Sequence, residues 1–151
     1  MEAYTFDYTP GDLGQSPAFP TGKPLKRPYL TVSLFNGEKT TGPYLANVDT
    51  GADFCMFSTV LLEDLGIRKE ECRRHQARGL GSDAGVYFAS VVLRCENLGD
   101  FNVYAGFSDS TDRDTLMLGH IDFLEHFTAG FDYQTDRFLL IRGSVGLSHD
   151  L

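Results

Sequence analysis

A mostly apolar run, Tyr44-Leu45-Ala46-Asn47-Val48, stops at Asp49-Thr50-Gly51-Ala52-Asp53. A strand that ends on an acid followed by Thr and Gly must turn sharply at the acid. Asp favours such turns through its own backbone, and Gly admits close backbone approach. The carboxylate is therefore presented at a strand end, and Thr50 can lock the turn through its hydroxyl.

The rest of the chain is written in similarly short segments. Tyr29 to Phe35 alternates apolar and polar side chains, as a half-buried strand does, and Asn36-Gly37 behind it is a turn signal. Phe54 to Phe57 reads as a short strand leaving the acidic loop. Arg73 to Leu80 and Val86 to Cys95 read as two strands joined by a glycine-bracketed turn, Gly79-Leu80-Gly81-Ser82. Phe101 to Phe107 and Leu116 to Leu118 are further strands, and Phe131 to Ile141 closes as a hairpin that turns near Gln134-Thr135-Asp136. Twelve Phe and seven Tyr favour strands, and sixteen Gly and six Pro favour turns. Ser58 can cap a helical turn over Thr59 to Leu65, which Gly66 ends. A second helix is expected from about Ile121 to Phe127, with Phe123, Leu124 and Phe127 on one face. The expectation is a mostly β fold.

The 151 residues suit one domain with a core. Residues 1–27 read as an N-terminal arm, because Pro10, Gly11, Gly14, Pro17, Pro20, Gly22 and Pro24 interrupt any periodicity. Tyr4, Phe6, Tyr8 and Phe19 could still pack that arm on the body. Residues 28–151 form the domain proper.

A formal net charge of -8 argues against a nucleic-acid binder, which needs a basic footprint, and disfavours an anionic membrane surface. Met1 to Asp7 has neither a basic n-region nor an apolar h-region, so no signal peptide and no membrane span are expected. Cys55, Cys72 and Cys95 form no CxxC pair, which argues against a zinc knuckle or redox motif; free thiols in a reducing cytoplasm are expected. His120, Asp122 and His126 lack the spacing of a His-Glu-x-x-His metal motif, so no metal is expected. Cys55 has no neighbouring His in sequence that would make it a nucleophile.

Hydrolysis by carboxylates needs one group to deprotonate water while another protonates the carbonyl. Two facing Asp side chains do this by sharing one proton, since both cannot ionise at close range. The chain holds one Asp-Thr-Gly. Asp83-Ala84-Gly85 lacks the hydroxyl residue and Asp114-Thr115-Leu116 lacks the glycine. A carboxylate dyad would therefore need a symmetric homodimer with Asp49 of each copy on the twofold axis.

Three blocks in order, Asp49-Thr50-Gly51-Ala52-Asp53-Phe54, Ala77-Arg78-Gly79-Leu80-Gly81-Ser82 and Met117-Leu118-Gly119, resemble the retropepsin-like aspartic peptidases over roughly residues 28–141. The resemblance implies a closed β-barrel, the acid-protease half-fold, with one short C-terminal helix. It implies catalytic roles for Asp49, Thr50 and Gly51, and substrate contacts from Ala52, Asp53 and a flap of Gly79, Leu80, Gly81 and Ser82. It also implies that Met117-Leu118-Gly119 packs behind the catalytic loop. After Gly119 the viral members usually continue with Arg. Here His120-Ile121-Asp122-Phe123-Leu124 looks more like the bacterial members, and the implied charge pair is His120 with Asp53. The function so implied is a cytoplasmic homodimeric endopeptidase acting on peptides or proteins without metal or cofactor. The alternatives are a non-catalytic peptide-binding or dimerisation module on the same fold and a monomer with a vestigial half-site.

Overall fold

The structure is a computed structural model that describes residues 2–76, 85–110 and 116–143. The strands in chain order are β1 (Glu2–Asp7), β2 (Thr9–Asp12), β3 (Pro24–Arg27), β4 (Tyr29–Asn36), β5 (Lys39–Val48), β6 (Met56–Ser58), β7 (Arg73–Gln76), β8 (Gly85–Cys95), β9 (Gly99–Ser108), β10 (Leu116–Leu118), β11 (Phe127–Asp132) and β12 (Arg137–Arg142). One short helix, α1 (Val60–Asp64), follows β6. No helix among the described residues is long and apolar enough to cross a membrane. The chain divides into two units, Leu30–His126 and the two terminal segments Met1–Tyr29 with Phe127–Leu151.

In the larger unit the strand order is β4-β5-β10-β6-β9-β8-β7, and β4 also pairs with β8. Six strands thereby close into a barrel, and β7 extends from β8. Alternation drives this arrangement. Leu30, Val32 and Leu34 of β4, Val91, Leu93 and Cys95 of β8, and Phe101, Val103, Ala105 and Phe107 of β9 are buried, while most of their sequence neighbours are not. With period two, one face of each strand enters the core. The Asn36-Gly37 turn forms as expected, with Gly37 at φ 61°. Helix α1 also forms where expected: Ser58 Oγ accepts the Val60 N–H at 3.2 Å, and Gly66, at φ 65°, closes the C-terminus by donating to the Glu63 carbonyl at 3.0 Å.

Two parallel pairings interrupt the antiparallel pattern. β10 runs parallel to β5 with Met117 opposite Asn47, and β6 runs parallel to β9 with Met56 opposite Gly106. The loop between β5 and β6, which carries Asp49 to Cys55, is thus flanked by β10 and the residues after it.

The helix expected over Ile121 to Phe127 is absent. Asp122 sits at φ 67°, Leu124–His126 is a single 3-10 turn, and Phe127 already begins β11. Long-range and local hydrogen bonds outcompete the helix. Asp122 Oδ2 accepts the Tyr104 N–H at 2.9 Å, the Asp122 N–H donates to Glu125 Oε1 at 2.6 Å, and Ile121 bridges to Phe54. The amphipathic pattern survives, since Phe123 and Leu124 are buried.

In the smaller unit β1, β12 and β11 form one sheet, and β2 with β3 forms a separate hairpin. β1 pairs antiparallel with β12 along its whole length, from Glu2 opposite Arg142 to Asp7 opposite Arg137. The first 27 residues therefore hold three strands, with Phe6 buried and stacked 5.3 Å from Phe138. Lys26 fastens the β2–β3 hairpin to the β11–β12 turn by bonding Asp136 and the Tyr133 carbonyl, with its ammonium 4.2 Å over the Tyr133 ring. That turn lies where expected: Asp132 Oδ1 accepts the Thr135 N–H at 3.3 Å and Asp136 is at φ 62°.

Candidate active site

Asp49 is the first residue after β5, and its N–H donates to the Leu118 carbonyl at 3.0 Å. Its Oδ1 accepts the Gly51 N–H at 2.9 Å, and the Ala52 N–H donates to the Asp49 carbonyl at 3.2 Å. The side chain closes its own turn, which fixes the carboxylate at the strand end. Asp49 is half-buried, while Thr50 and Gly51 are exposed. A β-carbon at Gly51 would come within 3.3 Å of Asp49 Oδ1. Among the described residues the Thr50 hydroxyl makes no hydrogen bond, so the carboxylate and not the hydroxyl locks this turn within the chain.

The segment after β10 clamps the loop from behind. The His120 N–H donates to the Ala52 carbonyl at 3.0 Å and the Ile121 N–H to the Asp53 carbonyl at 2.8 Å. Gly119 is where the two backbones meet. A β-carbon there would lie 2.4 Å from the Phe54 carbonyl oxygen and 2.7 Å from that of Ala52, closer than real contacts allow. Met117-Leu118-Gly119 thus packs behind the loop, and the terminal glycine is the physical requirement for it.

His120 does not pair with Asp53. Its Nε2–H donates to the Thr50 carbonyl at 2.7 Å, and Asp53 is exposed. The ring thereby ties the centre of the Asp-Thr-Gly loop to the segment after β10. A carbonyl partner needs only the Nε2 proton, which one neutral tautomer retains, so this tie does not require a charged histidine. Sequence pointed to His120 but not to its partner, because backbone acceptors carry no residue-type signal.

Ala52 is half-buried beside Asp53 on the loop. Gly79, Leu80, Gly81 and Ser82 lie outside the described residues. The base of their hairpin is described: β7 and β8 pair from Arg73 opposite Phe88 to Gln76 opposite Gly85. Phe54 lies 4.9 Å from Phe88, which lies 5.1 Å from Tyr104. Gly106 makes room there, since a β-carbon would come within 3.0 Å of the Phe54 ring and 2.6 Å of Val86.

His120, Asp122 and His126 engage different partners: the Thr50 carbonyl, the Tyr104 amide and, at 6.1 Å, the Phe101 ring. Among the described residues no three His, Cys, Asp or Glu side chains gather as a metal site. Cys55 is buried, and burial pushes its thiol up to about 12, far from the reactive thiolate range. Burial likewise raises Cys95 to about 12.

One residue with no signal beyond its polarity emerges. Asn47 stands in β5 two positions before Asp49, and its Oδ1 is buried without a hydrogen-bond partner.

No family model and no curated sequence matches the chain. Among solved structures it is similar to a retropepsin-like aspartic protease from Rickettsia conorii, with a TM-score of 0.50 and 16% identity over 91% of this chain and 95% of that one. The fold is retropepsin-like. The likeness is one of backbone architecture: a mostly β chain, a closed barrel and very little helix.

Proposed function

We propose that the protein is an aspartic endopeptidase, active as a homodimer in which the Asp49 side chains of two copies face one another. One observation carries this reading. On a retropepsin-like barrel, the Asp49 carboxylate is fixed at a strand end by the Gly51 amide, in a loop clamped from behind through Gly119 and His120. Such immobility is what a reacting carboxylate needs, because positioning supplies much of the rate.

One Asp-Thr-Gly per chain requires the second copy. The exposed Thr50 hydroxyl, without a partner among the described residues, is a group that a second copy can satisfy. The paired carboxylates hold one proton between them. The ionised one takes a proton from water as the oxygen attacks the peptide carbonyl, and the protonated one donates to the carbonyl oxygen. Collapse of the tetrahedral diol returns a proton to the departing amine. No covalent intermediate forms and neither metal nor cofactor takes part. Ala52 and Asp53 would line the cleft beside the dyad. Gly79, Leu80, Gly81 and Ser82 would close over the substrate, whose backbone adds as a strand. The edges of the β1-β12-β11 sheet, with Phe138 to Ile141 beside them, would supply the subunit seam, and the three unpaired cysteines suit a reducing cytoplasm.

The test is cleavage of a peptide library from acidic to neutral pH by wild type and Asp49→Asn, with and without a statine-type inhibitor. Wild type should cut, be inhibited, and lose specific activity on dilution as dimers dissociate. The variant should lose at least about a thousandfold, as removal of an essential acid-base group does. Equal cleavage by both proteins discards the assignment. Full biological activity in Asp49→Ala would mark a binding module instead.

A further inference from the structure

We infer that Asn47 is a specificity-determining residue, selecting substrates whose side chain beside the scissile bond has an apolar stem ending in a neutral hydrogen-bond donor. The inference rests on the peptidase reading of Asp49 and adds a substrate class to it.

Strand geometry places Asn47 at that position. Ala46 and Val48 point into the core, at 0% and 4% exposure, so Asn47 and Asp49 share the opposite face of the strand. Two strand residues are about 6.7 Å apart, the same repeat an extended peptide has. A peptide laid along β5 with its scissile carbonyl at Asp49 would bring a neighbouring side chain over Asn47. Register then defines the surroundings. Met117 of β10 is opposite Asn47, and Met56 of β6 is opposite Met117. Leu116, Leu118 and Phe57 fill the core side of those strands, which leaves the half-buried Met117 on the Asp49 face, with Met56 buried behind it at 6% exposure. Asn47, Met117 and Met56 form one row across three strands: an amide beside a half-buried thioether, with a buried one beyond it.

The amide is the anomaly. Its Oδ1 is buried and has no donor, the one such side-chain atom among the described residues. A buried acceptor left unpaired destabilises a fold, and leucine would fill similar space without that penalty. A donor supplied from outside the chain removes the penalty. The residue as a whole is half-buried, and turning the amide about χ2 brings Oδ1 toward an arriving group without moving the strand. An apolar stem on Met117, ending in an amide N–H or phenol O–H, matches this row. A few polar groups in an apolar frame is the usual composition of a selective pocket.

The experiment uses full-length protein and peptides that differ at the position beside the identified cut, in the near-isosteric pairs Met against Gln and Phe against Tyr. Wild type should favour the donor-bearing member of each pair by about tenfold in kcat/KM. Asn47→Leu should erase or reverse that preference while still cutting the Met and Phe peptides. Should Asn47→Leu fail to fold, the wild-type ratios still decide, since the absence of donor preference overturns the inference. Ratios unchanged in Asn47→Leu also overturn it. A shift in dimer dissociation with unchanged ratios would instead assign the amide to the second subunit and overturn it. Each of these outcomes requires cleavage that Asp49→Asn abolishes. If wild type does not cut, or the Asp49 variant cuts as well, the peptidase reading itself fails and this inference falls with it.

Discussion

In the barrel unit a β-carbon added at Gly119 would lie 2.4 Å from the Phe54 carbonyl oxygen; in the terminal unit one added at Gly130 would meet only the Leu139 side chain, at 3.4 Å. The barrel's loop is held backbone against backbone, where nothing can rotate out of the way. In the terminal sheet Gly130 faces only the side chain of its cross-strand partner Leu139, which can adjust. The buried apolar residues follow the same division. Those of the terminal unit are Phe6, Phe138 and Leu140, whereas the barrel buries most of the remaining core, including Phe57, Phe107 and Phe123. Precision is concentrated around Asp49, and tolerance lies in the sheet that the termini build.

The sharpest way to break this contrast is to substitute both glycines. Gly119→Ala should cost more than about 3 kcal/mol or prevent folding, because the clash is with main chain and can be relieved only by moving the loop. Gly130→Ala should change stability by no more than about 0.5 kcal/mol. Thermal and denaturant unfolding measure both, and equal effects would dissolve the distinction. Next come the aromatic residues. Phe57 is 0% exposed and lies 5.6 Å from Phe107, so Phe57→Ala should cost about 3–5 kcal/mol. Phe131 is 44% exposed, and Phe131→Ala should cost less than about 1 kcal/mol.

The same division explains what could be read from sequence. Leu30, Val32 and Leu34 alternate with polar neighbours because one strand face is buried, and that pattern is local. The turns at Asn36-Gly37 and Gln134 to Asp136 are local too, set by residues that tolerate positive φ. The Asp49 loop was legible because Asp-Thr-Gly ends an apolar strand and is followed in order by the Gly79 to Ser82 and Met117 to Gly119 blocks, and the turn itself is local, closed by the Asp49 carboxylate on the Gly51 amide. The failures are mostly non-local. The stretch Ile121 to Phe127 has a helical period, but Asp122 answers to the Tyr104 amide, and no window around residue 122 contains it. The first 27 residues hide three strands: β1 finds its partner at Arg137 to Arg142, while β2 and β3 pair with each other across a stretch whose prolines and glycines mask any periodicity. His120 and Asp53 look complementary on paper, yet the ring takes the Thr50 carbonyl.

That last bond gives a prediction of intermediate size. His120→Leu should lose about 1 kcal/mol of stability and loosen the Asp49 turn, while His120→Gln, which keeps a donor, should retain most of it. Peptide cleavage and unfolding midpoints read the two effects together. Equal behaviour of Leu and Gln would show that the ring packs there without holding the carbonyl.

The smallest expected effect belongs to Asp109, the residue after β9. Its carboxyl is held below the ordinary value of 3.8 by a hydrogen bond from Lys69, at 2.8 Å, and next by one from Thr59, at 2.6 Å. The folded protein therefore binds this proton less readily than the unfolded chain. The resulting stabilisation is complete above the ordinary carboxylate range and fades as pH falls through the lower folded value. Lys69 and Asp109 are 44% and 51% exposed, so solvent screens the pair and its worth is below about 1 kcal/mol. Asp109→Asn should lower stability slightly at neutral pH and match wild type in strong acid, where both side chains are uncharged. Unfolding curves at pH 7 and pH 2 test this. A difference that persists undiminished at low pH would mean that the Thr59 contact, and not the charge, fastens α1 to the end of β9.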